Sequence, residues 1–163
     1  MQGGRGEEHG RTGRLRSLAL LLALWAAPAA AATVGTVVVD ATSGVAIDGF
    51  DPVSYFVDGR PRRGSPQFET TWRGVVWRFA NEGNLQAFRA HPELYAPRLG
   101  GHAVVPVARG HLAEGDPMLW RIEGGRLYFF HGPGDFHAFR FDPAGFASRA
   151  EVNWPRLATE LPR

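Results

Sequence analysis

Two short stretches limit the fold of this chain more than any other feature, because each reads as a tight β-hairpin with one apolar face. At Gly124-Gly125, paired glycines supply the positive φ values that a two-residue primed turn requires. Pairing outward from that turn sets Ile122 opposite Leu127 and Trp120 opposite Phe129 on an apolar side. Glu123 then faces Arg126, and Arg121 faces Tyr128, on a wetter side. Around Arg73-Gly74 the same arithmetic sets Phe68 opposite Phe79, Thr70 opposite Trp77 and Trp72 opposite Val75. Glu69, Thr71, Val76 and Arg78 fall on the other face, so one side of each hairpin is fit to cover a core.

The remaining signals are short and helical. Asp51-Pro52 suits a helix start, with Asp as cap and Pro in the first turn. Asn81 or Asn84 caps a segment carrying Leu85, Phe88 and Arg89, and Pro92 stops it and opens another turn through Glu93, Leu94 and Tyr95. Asp142-Pro143 starts a segment with Phe146, Ala147 and Ala150 that leads to Trp154-Pro155. Thr33 to Asp40 is a β-prone run, read as an edge strand or a leader, and the apolar run after His102 reads as a strand. No internal repeat or low-complexity linker is evident. The expected fold is α+β in a single domain: a small antiparallel sheet built from two β-hairpins, with short helices.

Residues 1–32 are expected to be a signal peptide. Arg5, Arg11, Arg14 and Arg16 precede the apolar run Leu18 to Trp25, and small residues Ala26 to Ala32 follow. The 15 residues from Leu18 to Ala32 fall short of the roughly 20 that span a bilayer. Cleavage near Ala30 to Ala32 leaves an exported, periplasmic or secreted domain with no transmembrane segment. Residues 33–163 hold 14 Arg and 14 acidic residues, since the whole positive excess lies upstream. A neutral domain lacks the electrostatic footprint of a nucleic-acid binder. The chain has no Lys and no Cys, which excludes P-loop and Schiff-base chemistry, thiolate metal sites and disulfides.

Three phrases carry a resemblance: Gly49-Phe-Asp-Pro-Val-Ser-Tyr-Phe56, Trp77 to Phe88 continuing through His91-Pro-Glu-Leu-Tyr-Ala-Pro97, and Gly100-Gly-His-Ala103. Together they resemble the secreted bacterial YHS-domain proteins, in which a YHS core is extended by a second hairpin and a helical part ending near Asn153-Trp154-Pro155. The resemblance spans about residues 45–156 and implies a YHS-like domain over residues 33–163. Metal-binding members of that family place cysteines where this chain has Ser54, Ala80 and Asn84, and the secreted subgroup often has one more at Ala103. Neutral hydroxyl and amide groups are poor ligands for soft metals, so the resemblance implies a YHS-like domain without its metal site.

Histidine is the remaining ligand type. His91 sits at a helix end and His111 in a polar loop, both with plain structural roles. His102, His131 and His137 make the candidate site, with Tyr55 and Tyr128 as neighbours. They are expected to bind a divalent metal, Cu(II) or Zn(II), or a haem through imidazole. No Gly-x-Ser-x-Gly elbow and no dinucleotide fingerprint occurs, and Asp48 and Asp51 are explained by a turn and a cap. The chain therefore reads as a non-enzymatic binding domain for a metal or small ligand. The alternative is an interaction module that recognises a periplasmic protein through its abundant aromatics.

Overall fold

A computed structural model describes residues 36–161; the expected signal peptide lies outside the described residues. Strands β1 (Ser65–Trp72) and β2 (Val75–Phe79) form one antiparallel hairpin, and β3 (Asp116–Glu123) and β4 (Arg126–Phe130) form another. Helices α1 (Ser54–Val57), α2 (Glu82–Ala90), α3 (Pro92–Tyr95), α4 (Val104–Ala108), α5 (Pro133–Phe141) and α6 (Pro143–Leu157) surround them. The fold is α+β. Each hairpin is its own two-stranded sheet, and single bridges such as Ala103 to Phe129 link the surrounding segments to them.

Both turns are left-handed at both central residues, with φ of 51° and 76° at Arg73-Gly74 and 56° and 72° at Gly124-Gly125. Pairing beside each turn follows the expected register: Trp72 with Val75, Thr70 with Trp77, Ile122 with Leu127, Trp120 with Phe129. Farther out it breaks. Phe68 does not pair with Phe79; Ser65 does, across an irregularity, and Asp116 pairs with Phe130 in the same way. Each irregularity contains a proline, Pro66 or Pro117, which has no N–H to give to the ladder.

The two hairpins belong to an internal repeat that the sequence reading did not find. The strands and the two helices after each hairpin begin 51 residues after their counterparts: Ser65 against Asp116, Val75 against Arg126, Glu82 against Pro133, Pro92 against Pro143. Identical residues at that spacing include Pro66 and Pro117, Phe79 and Phe130, Phe88-Arg89 and Phe139-Arg140. The repeat extends upstream. Left-handed residues at Ile47 to Gly49 recur at Leu99 to Gly101, and the bond from Gly64 N–H to the Gly49 carbonyl (2.9 Å) recurs from Gly115 to Gly101 (3.1 Å).

Each repeat builds its own core. The first contains Trp77, Phe79, Leu85 and Phe88 with Val53 and Tyr55; the second contains Val104, Val105, Phe130, Phe139, Ala150 and Leu157. Strand β4 serves both, sending Leu127 and Phe129 into the first core and Tyr128 and Phe130 into the second. The face expected to be wet at Tyr128 is therefore buried, with 2% of the residue exposed. Tyr55 also crosses between the repeats: its hydroxyl donates to the Pro117 carbonyl at 3.0 Å and its ring meets Trp120 edge-on at 5.1 Å.

The run after His102 is helix α4, not a strand. Pro106 cannot donate to a ladder, and Val104, Val105 and Val107 are all fully buried, so burial on every side outweighs their β propensity. The segment beyond Asp142 is also more than a short turn. Asp142 caps α6 through Gly145 N–H, and the helix runs 15 residues, past Pro155. Asn153 on α6 donates to the Val107 and Ala108 carbonyls at 3.0 and 3.1 Å, fastening α6 to the open end of α4. In the 33–40 run the described residues form one bridge, Val39 to Ala46, and no extended strand. Among the described residues no helix is long and apolar enough to cross a membrane.

Candidate functional site

Ser54, Ala80 and Asn84, three of the four positions where the expected resemblance would place cysteine, are gathered around one carboxylate. Asp51 is fully buried. One of its oxygens accepts from the Val53 N–H at 2.8 Å and the Ser54 N–H at 3.4 Å; the other accepts from the Ala80 N–H at 2.9 Å and the Asn84 amide at 2.6 Å. Asn81 caps α2 by accepting from Asn84 N–H, which leaves the Asn84 side chain free to turn inward to Asp51. Asp51 is thus more than a cap. It ties the start of α1, the end of β2 and the first turn of α2, with its acceptor positions filled by nitrogen donors. The fourth position, Ala103, lies apart, fully buried and bridged to Phe129.

The histidines are not gathered in this way. His102 is 6% exposed; its Nδ1 lies 3.0 Å from the Leu99 carbonyl and its ring packs on Trp154 with centroids 5.2 Å apart. Burial pulls its pKa below the ordinary value, against the Leu99 carbonyl and Glu114. His131 is exposed, with Nδ1 2.9 Å from the Glu114 carbonyl, and His137 is exposed on α5. Among the described residues no three His, Asp or Glu side chains stand close enough to hold a metal ion, so these three do not form one ligand set. Tyr55 is enclosed in the first core, where burial and then the Asp116 and Asp51 charges raise its pKa far above the usual phenol value.

Tyr128 leads to the feature that the sequence reading missed. Its hydroxyl donates to Glu151 at 3.3 Å, and burial followed by that carboxylate raises its pKa. Glu151 grips Arg98 in a two-pronged pair, at 2.8 Å from Nε and 2.6 Å from the terminal nitrogen, and Arg126 approaches within 3.7 Å. Desolvation pushes the Glu151 carboxyl up, but Arg98 and Arg126 outweigh it and hold the group below its usual range. Arg98 is correspondingly held above its own, the hydrogen bond to Glu151 outweighing burial.

This pair forms one wall of a cleft of about 230 Å³ lined by Trp72, Trp77 and Trp154, with Leu99 and Gly100 between them. The Leu99-Gly100 turn is left-handed, at φ of 57° and 61°, and runs so close to the chain at Thr36 that a Cβ on Gly100 would sit 1.6 Å from the Thr36 carbonyl oxygen. Trp72 and Trp77 come from the first hairpin, where the Trp77 indole donates to the Trp72 carbonyl at 3.2 Å. Trp154 comes from α6, backed by His102. Arg73 stacks over Trp72 at 4.5 Å and pairs with Glu93 at 2.7 Å on the rim. Trp154 had a signal in the Asn-Trp-Pro phrase. Arg98 and Glu151 had none, since 53 residues separate them. Comparison with family models, curated proteins and solved structures finds no match to this chain.

Proposed function

We propose that the chain is an exported, non-enzymatic YHS-like binding domain whose ligand site is the three-tryptophan cleft. What carries this reading is the cleft itself: a concavity to which Trp72 and Trp154 present partly exposed indoles, with the buried Trp77 beneath and a guanidinium–carboxylate pair on one side. Binding sites combine aromatic surface with a few fixed polar groups; here Trp72 and Trp154 supply the first and the Arg98–Glu151 pair the second, in a lining that is more polar than apolar. Its volume of about 230 Å³ lies below the ~300–1,000 Å³ of sites for drug-sized molecules, which limits the ligand to one small ring system. On this reading His102 supports the site and does not ligate: it packs against Trp154.

The test is tryptophan fluorescence of the mature protein titrated with small aromatic compounds, paired with thermal unfolding. Uptake of a ring compound that Trp154→Ala weakens at least tenfold, with the melting transition intact, is the expected result. No change in emission or melting with any compound up to millimolar concentration refutes it.

Exposed apolar side chains favour a second reading, an interaction module for another exported protein. Phe141 is 91% exposed and Val152 76% exposed, and exposed apolar side chains of this size are where a protein partner would pack if they form one patch. Crosslinking to a partner that is lost in Phe141→Asp or Val152→Asp, while Trp154→Ala leaves it intact, would favour this reading over the cleft.

A further inference from the structure

We infer that the cleft selects ligands carrying an anionic group on a planar ring, a small aromatic carboxylate, with Arg98 as the anion's anchor. The inference rests on the cleft being the binding site, and it concerns which chemistry that site prefers. A guanidinium has five N–H donors, and Arg98 spends two of them on Glu151. The others find no hydrogen-bond acceptor among the described residues and lie on the same planar fork, whose orientation Glu151 fixes from one side; preorganised donors lose less entropy on binding.

The charge balance points the same way. Glu93 is matched by Arg73 at the rim, while the single carboxylate of Glu151 is approached by both Arg98 and Arg126. The cluster thus carries one positive charge in excess. A cationic ligand would meet the partly exposed Trp72 and Trp154 but also lie near that excess charge, which Arg126 supplies from just outside the cleft lining, and the Trp72 face already carries the Arg73 guanidinium. A ring carboxylate packs against Trp154 and the open part of Trp72 and compensates the excess.

Matched probes separate the parts of the argument: benzoate and indole-3-acetate, their amides benzamide and indole-3-acetamide, and benzylamine, each titrated by tryptophan fluorescence and by calorimetry at low and high salt. The acids are expected to bind at least about tenfold more tightly than the amides, a step equivalent to ~1.4 kcal/mol, with the preference shrinking as salt rises. Arg98→Gln should abolish the preference while ring binding persists. Acids and amides binding equally, or benzylamine binding best, overturns the inference and leaves the cleft as a binding site. Binding of none of the five overturns both. The comparison of acid with amide needs only the unaltered protein, so it stands even if Arg98→Gln fails to fold.

Discussion

Replacing Asp51 by Ala removes the acceptor for four nitrogen donors at once, and the cost can be built from the geometry. Three of its hydrogen bonds are short, at 2.6, 2.8 and 2.9 Å, and the fourth is long at 3.4 Å. A hydrogen bond to a charged acceptor contributes about 1.5–3 kcal/mol, and a buried donor left without a partner costs about 1–3 kcal/mol. Some donors will reach water after relaxation, so the sum is an upper limit and about 4 kcal/mol is expected. Against a total stability of roughly 5–15 kcal/mol that is a large fraction. With a urea dependence of about 1.5 kcal/mol per molar, the midpoint should fall by roughly 2–3 M. Asp51→Asn should lose about half as much. One amide oxygen can still serve Val53 and Ser54, Asn84 can turn its own oxygen toward the new NH₂, and only the Ala80 N–H faces another donor. Circular dichroism followed through urea unfolding measures both. A loss below about 1 kcal/mol in Asp51→Ala would refute the claim that this carboxylate organises the α1, β2 and α2 junction.

Glycine chemistry offers a paired comparison: Gly100→Ala should destabilise by more than about 3 kcal/mol, because its Cβ meets the Thr36 carbonyl at 1.6 Å, whereas Gly124→Ala, at similar φ but in open space, should lose only about 1 kcal/mol. Thermal melts of the two variants decide it, and equal losses would contradict the close approach. Asn153→Ala should cost about 1–2 kcal/mol by freeing the Val107 and Ala108 carbonyls, a loss read from urea midpoints and not recovered in Asn153→Asp, which cannot donate. His102 gives a pH signature. Since burial holds its folded pKa below 6.5, the unfolded chain takes up the proton first, so stability is complete above about pH 6.5 and declines as the pH falls toward the folded value. Unfolding free energies at pH 7.5 and 5.5 should differ in the native protein and differ less in His102→Gln; parallel curves would remove His102 from the account.

Both hairpins were legible because their turns demand left-handed residues, and glycine at Gly74, Gly124 and Gly125 announces that demand locally. Register was readable only as far as Pro66 and Pro117, where the ladder lacks a donor and the pairing slips. The valines of α4 misled because β propensity describes a half-buried surface, and these side chains are enclosed on all sides. The repeat escaped because its halves share backbone geometry and a few anchors such as Phe88-Arg89 and Phe139-Arg140, while Asp51 corresponds to an uncharged residue in the second half. Of the candidate site, His102 and Tyr128 stood within reach of the cleft, but neither lines it. Its walls come from sequence-distant indoles and from the Arg98–Glu151 pair, and no local pattern encodes an encounter across that distance.

The two repeats part company at their last helix: α3 stops after four residues, whereas its counterpart α6 continues for fifteen. That inequality sets a stoichiometry. A duplicated chain with equal halves would offer two equivalent concavities, but here the indoles of the first hairpin meet a tryptophan that exists only on the lengthened helix of the second. Saturation should therefore come at one equivalent per chain, without cooperativity, and neither half expressed alone would own a complete wall.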